Sequence, residues 1–273
     1  MQLVELDIFK AFKSICEKHN LRYFAIGGTC IGAVRHHGFI PWDDDMDVAM
    51  PYEDYVKFFE VAPSELPEKY KFIHPTVDGI SRIYDEKTTM ITTSYNTGVL
   101  IDVMPVNGLP KSKVMQNYLL LKKEFLNRLN FKFVAPNEER GWKGKLVQPY
   151  INYLVKTNKP DDYLKLKRDN VFSKYLFDEN KSDKIIFPWR LPPNEKLYTY
   201  KQIFYYEDFK STIEVPFEDT TMRVPVGYDR YLTMDFGDYM TLPPEDKRRS
   251  LHIETAKIID FERSYKYYQE RLN

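Results

Sequence analysis

Gly27-Gly28-Thr29-Cys30-Ile31-Gly32-Ala33-Val34-Arg35-His36-His37-Gly38-Phe39-Ile40-Pro41-Trp42-Asp43-Asp44-Asp45-Met46-Asp47 is the stretch whose reading decides the fold. Just before it, Arg22-Tyr23-Phe24-Ala25-Ile26 is a short run of strand formers. The paired glycines therefore end a strand, and Cys30-Ile31-Gly32-Ala33-Val34-Arg35 opens a helix. Gly38 and Pro41 break the chain again, and Asp45-Met46-Asp47-Val48-Ala49-Met50 restores alternation, so a second strand is expected to start near Asp43 or Asp45. A strand that turns on glycines into a helix presents backbone N–H groups and the positive end of a dipole to an anion. Residues two apart on a strand share a face, about 7 Å apart. Asp43, Asp45 and Asp47 thus stand in a row, while Asp44, Met46 and Val48 take the other side. Ionised carboxylates so placed repel one another until protons, solvent or a cation intervene. Magnesium takes such oxygen ligands and keeps positions for substrate phosphates, which suits phosphoryl or nucleotidyl transfer. An acidic turn on a solvated edge strand gives the same pattern, so the run alone points no further than metal binding.

Working outward, residues 3–19 place Leu3, Leu6, Phe9, Phe12, Ile15 and Cys16 at helical spacing, an amphipathic helix. Residues 52–62 are helical again and stop at Pro63 and Pro67. Short strands are expected at 70–74, 80–84, 89–94 and 99–104, forming a twisted, mainly antiparallel sheet. In the last of these, Asp102 interrupts Val99-Leu100-Ile101-Asp102-Val103-Met104, where an unpaired carboxylate is costly. It needs a partner, and a metal is one. Helices are expected at 113–131, 143–156 and 162–177, a hairpin at 213–217 and 222–226, and helices at 228–236 and 244–272. The fold class is α+β, with a catalytic core over 1–110, an α-helical segment over 111–183, and a part over 184–273 that packs on the core and completes the substrate site.

The chain has 273 residues, 43% of them hydrophobic, enough for a real core. Forty basic residues balance forty acidic ones, so no overall field recruits a nucleic acid polymer. Cys16 and Cys30 have no CxxC spacing, which argues against a disulfide framework or structural zinc. The acidic start Met1-Gln2-Leu3-Val4-Glu5-Leu6-Asp7 is unlike a signal peptide, and no stretch reaches eighteen apolar residues, so a cytoplasmic location is expected.

The segment 27–47 resembles the leading motif of the LicD family, and glycines, Asp45-x-Asp47 and a later single aspartate together resemble the signature of the nucleotidyltransferase fold. The resemblance continues in Ile101-Asp102-Val103-Met104-Pro105 and in Tyr231-Leu232-Thr233-Met234-Asp235-Phe236-Gly237-Asp238-Tyr239-Met240-Thr241-Leu242-Pro243-Pro244. It implies a nucleotidyltransferase-like core with a twisted mixed sheet flanked by helices, and a transferase that moves phosphocholine from CDP-choline to a sugar hydroxyl of a lipid-linked bacterial surface glycan, teichoic acid-like. It makes Asp45 and Asp47 ligands of Mg2+, with Mn2+ as a substitute, and Asp102 a third ligand or the base for the acceptor hydroxyl. Gly27, Gly28, Thr29 and Arg35 would bind the donor phosphates. Asp43 shares the ligand face or hydrogen-bonds the turn after Pro41.

Trp42 offers a ring to a quaternary ammonium or packs the turn, and Tyr231, Phe236 and Tyr239 are further ring candidates. His252 reaches a phosphate or a metal or is a satisfied bystander. Lys247-Arg248-Arg249 is a solvated face or touches anionic lipid headgroups, which leaves room for peripheral contact with the inner membrane face. Two other activities fit the same core: transfer of another phosphoalditol or nucleotidyl group, and nucleotide or metal binding without turnover as an assembly partner.

Overall fold

The computed structural model describes residues 1–73, 80–92, 96–134, 149, 153, 170–177, 183–189 and 203–272. The expected helix at 143–156 lies outside these apart from residues 149 and 153. The chain opens with α1 (Gln2–Lys18), β1 (Phe24–Ala25) and α2 (Gly27–Ile31), which runs on as a π-helical turn, Gly32–His36. Next come β2 (Asp47–Pro51), α3 (Tyr52–Glu65), β3 (Tyr70–Ile73), β4 (Ser81–Asp85), β5 (Thr89–Ile91), β6 (Asn96–Thr97), β7 (Leu100–Gly108) and α4 (Lys113–Val134). After these stand β8 (Lys184–Ile186), β9 (Ile203–Tyr205), α5 (Tyr206–Phe209), β10 (Thr212–Phe217) and β11 (Thr220–Pro225). The remainder is α6 (Tyr228–Phe236), a 3-10 turn (Glu245–Lys247), α7 (Leu251–Thr255), β12 (Ile258–Asp260) and α8 (Tyr265–Leu272).

The architecture is α+β. Its main sheet has the order β1-β2-β7-β4-β3, and β8 and β9 extend it from β7. The sheet is mainly antiparallel, as expected, with one parallel pair, β2 and β7, that makes it mixed. A parallel pair needs a long crossover, and the chain from α3 to β6 supplies it.

Alternation from Tyr23 into β1 explains the layers. Tyr23 turns to one face, where its ring meets Phe9 and Phe12 of α1 at 5.9 and 5.3 Å. Phe24 turns to the other, against Phe177 at 5.8 Å and Phe209 at 5.4 Å. Phe58 of α3 reaches Phe12 at 4.9 Å, so α1 and α3 close the first face together. One continuous core takes residues from Leu6 to Val106 and again from Phe177 to Tyr239. Both cysteines lie in it as free thiols.

Three expectations change. The second strand begins at Asp47, not at Asp43 or Asp45; before it, only the Met46 carbonyl joins the ladder, accepting the Asp102 N–H at 2.9 Å. Of the helix expected at 162–177, residues 170–177 form turns. The helix expected over 244–272 is broken into a 3-10 turn, α7, β12 and α8. Ile258 and Ile259 have the β-branched character of a strand and pair with Ile91 and Met90 of β5. The Asp260 carboxylate then accepts the N–H groups of Glu262 and Arg263 at 2.8 and 3.1 Å, a turn that interrupts any helix.

The register of the main sheet carries its most consequential contact. Asp102 of β7 lies opposite Asp47 on one side and Arg82 of β4 on the other. The Arg82 Nε approaches Asp102 Oδ1 to 2.8 Å, with the arginine 1% and the aspartate 17% exposed. Removing one partner of a buried charge pair strands the other, whereas removing both is far cheaper. Arg82→Met should therefore cost about 3 kcal/mol in urea unfolding, and adding Asp102→Leu should recover most of that loss.

Candidate active site

The site gathers where α2, the loop before β2 and the first residues of β7 meet. Gly27 has φ of 57°, in the left-handed region that favours glycine. This lets the chain leave β1 and enter α2 at once. A Cβ on Gly28 would stand 2.5 Å from Asp43 Oδ2, and one on Gly27 would stand 3.3 Å from Asp47 Oδ2. The glycines are thus the residues that allow backbone to lie directly on the carboxylates. Two of the motif's groups already have partners within the fold. The Gly27 N–H donates to the Tyr231 hydroxyl at 2.9 Å, and the Thr29 hydroxyl accepts the Asp47 N–H at 2.8 Å. Thr29 therefore ties the start of α2 to the start of β2.

Through the acidic run, Asp43, Asp45 and Asp47 are partly exposed while Asp44 and Met46 are buried, as alternation requires. The Asp44 carboxylate accepts the Ile253 N–H at 2.7 Å and meets His252 Nδ1 at 3.2 Å. That same nitrogen lies 3.9 Å from Asp45 Oδ2. Asp44 and Asp45 can both reach one imidazole because this part of the run is loop, not strand. Asp43 and Asp45 lie close enough to shift one another's titration. Burial, and then the charge of Asp45, pushes the Asp43 carboxyl up to about 8. Burial also pushes Asp45 up, opposed by His252 and by its hydrogen bond with Asp43. Asp102 has its partner in Arg82, one the sequence reading did not single out.

Arg35 lies in the π-helical turn. Its Nη1 donates to the Tyr239 carbonyl, and its Nε donates to His36 Nε2 at 3.0 Å. Burial draws its guanidinium down, against the pull of Asp43. Trp42 carries the Arg248 guanidinium 5.2 Å from its ring centroid, and its carbonyl accepts the Ser250 hydroxyl at 2.8 Å. The middle of the basic run thus packs on the turn before the acids. Among the other rings, Tyr231 is wholly buried and Tyr239 nearly so, with its hydroxyl donating to Asp229 at 2.8 Å. Neither presents an open ring face, whereas Phe236 is exposed.

Among the described residues, no three acidic, histidine or cysteine side chains converge as a closed chelating set. Magnesium asks for less, since it is commonly held by one or two carboxylates with water and substrate phosphates. Asp45 and Asp47 fit that requirement by their hard oxygen donors. A cation would also relieve the repulsion between Asp43 and Asp45. Asp102, already balanced by Arg82, fits it less. No described helix is long and apolar enough to cross a membrane.

The family model of the LicD/FKTN/FKRP nucleotidyltransferase domain matches residues 20–150. The chain is 29% identical to the lipopolysaccharide cholinephosphotransferase LicD of Haemophilus influenzae, over 94% of this chain and 97% of that protein. An uncharacterised protein of Rickettsia typhi is 36% identical over 25% of this chain and 22% of its own length. Another, from Rickettsia prowazekii, is 30% identical over 32% of this chain and 36% of its own.

A methyl group on Gly28 must displace Asp43 or the turn. Gly28→Ala is expected to lower turnover about 100-fold, the scale of a misplacement of about 1 Å, while far-UV circular dichroism stays that of the parent.

Proposed function

The chain belongs to the LicD family, and from that membership we propose that it is a phosphorylcholine transferase that uses CDP-choline and a sugar hydroxyl of a lipid-linked surface glycan. The observation that carries the reading is the near full-length similarity to the Haemophilus enzyme, a lipopolysaccharide cholinephosphotransferase. The juxtaposition of glycine turn, acidic run and Asp102 supports it from within this chain. The nucleotidyltransferase-like character of the core belongs to the same proposal.

In the reaction, the acceptor oxygen forms a bond to the phosphorus that carries choline. The bond from that phosphorus to the bridging oxygen breaks, and CMP leaves with the electron pair. Magnesium held by Asp45 and Asp47 would neutralise the diphosphate. Gly27 and Gly28 let backbone approach the phosphates, and Arg35 offers a guanidinium on the same side as Asp43. Asp102 is held in one orientation by Arg82 and is assigned to the acceptor hydroxyl, whose proton it receives. Asp44 holds His252 beside Asp45 and keeps the C-terminal segment over the run. In line attack needs such fixed partners more than it needs covalent help from the protein.

The test is release of CMP from a panel of CDP-linked and other nucleotide donors in the presence of magnesium. CDP-choline should be the productive donor. Release of CMP only from a CDP-alditol would replace phosphocholine with another group, and nucleotide binding with no product from any donor would make the chain a binding partner. Asp45→Asn and Asp47→Asn should each lower turnover about 100- to 1,000-fold, the scale for losing one preorganised charge stabiliser. Arg35→Ala should weaken donor binding about tenfold, read by titration calorimetry with CDP-choline; an unchanged affinity would remove Arg35 from the donor site.

A further inference from the structure

We infer that Glu5, on the first helix, is a positioning carboxylate of the cation site. The inference rests on the reading of Asp45 and Asp47 as its ligands. Glu5 follows Gln2 by three residues and so shares its face of α1. The Gln2 amide donates to the Ile40 carbonyl at 3.1 Å and to the Asp43 carbonyl at 2.8 Å, which pins the start of α1 onto the acidic run. Glu5 is 0% exposed, and among the described residues neither of its carboxyl oxygens has a hydrogen-bond partner.

A carboxyl group in that state is a liability. An unsatisfied buried polar group costs roughly 1–3 kcal/mol, and its neighbours on α1, Leu6, Ile8 and Phe9, are apolar and buried. The charges that act on it most are Asp45, then the amino terminus, which is positive, then Asp44 and Asp43. Burial and these acids together push its carboxyl well above the usual range. An apolar side chain of similar volume would serve the core better, so the carboxylate serves something other than the core. A divalent cation held by Asp45 would offset the repulsion that these acids exert on Glu5. Glu5 would then hold a ligand carboxylate or a metal-bound water in place, as outer-shell carboxylates do.

The test uses the whole chain and Mn2+ as the probe, with free Mn2+ read by electron paramagnetic resonance and thermal melts recorded in EDTA and in Mn2+. Glu5→Gln should bind Mn2+ about 10- to 100-fold more weakly than the parent. It should melt in EDTA at the parent's temperature or above, and gain less from Mn2+. Glu5→Gln with the parent's affinity, or less stable than the parent in EDTA, would overturn the inference. Asp45→Asn separates the two readings. If it loses Mn2+ while Glu5→Gln does not, only the role of Glu5 falls. If Asp45→Asn binds as the parent does, or the parent binds no Mn2+, the metal assignment falls and takes Glu5 with it.

Discussion

The parallel pairing of β2 with β7 sets Asp47 beside Asp102, on strands that lie about 4.8 Å apart. Two carboxylates at that spacing on a half-buried face repel, and the sheet must answer the repulsion or part. Part of the answer is internal, because the next strand brings Arg82 opposite Asp102 with almost no exposure. The row Asp47, Asp102, Arg82 therefore runs across three strands, with the positive charge at one end and the acidic run at the other. The acidic run stands on the side of α2, where the two glycines bring backbone against the carboxylates. That asymmetry is what a cation and a phosphate pair would complete.

The loop that carries the run is held from both ends of the chain. Gln2 of the first helix grips its backbone from one side. From the other, Asp44 takes Ile253 and His252, Ser250 takes the Trp42 carbonyl, and Arg248 covers the Trp42 ring. The hairpin adds a third support, since Glu218 accepts the Phe39 N–H at 2.9 Å and donates its own N–H to the His37 carbonyl at 2.9 Å. An irregular loop of repelling acids gains its fixed shape from these contacts, because it has few ladder bonds of its own. The resulting precision matters for a transfer reaction in which positioning supplies much of the rate.

Several assignments shift once the contacts are known. Thr29 and the Gly27 N–H serve the fold directly, so the anion-binding surface of the turn is smaller than a bare glycine turn suggests. Tyr231 is the buried hydroxyl that holds Gly27 and not a ring open to a headgroup. Trp42 already faces a guanidinium, so a quaternary ammonium would have to share or displace Arg248 to stack on that ring. His252, a solitary residue in the sequence, stands beside two of the acids.

The sequence by itself determined the elements whose signals are local. Period-3.6 spacing gave α1 and α3, the paired glycines gave the break between β1 and α2, and alternation gave the hairpin and the burial order of Asp43 to Asp47. It also showed that Asp102 needs a partner, since a charge inside an apolar strand is costly wherever the strand goes. Which partner it takes was decided only by the tertiary structure. Arg82 lies twenty residues away in the chain and meets Asp102 through the register of β4 on β7, and no local pattern encodes a register between distant strands. The same holds for Glu5, His252 and the broken C-terminal helix. Each depends on a contact across the chain, and such contacts are chosen by the packing of the whole core rather than by the propensity of the residues that make them.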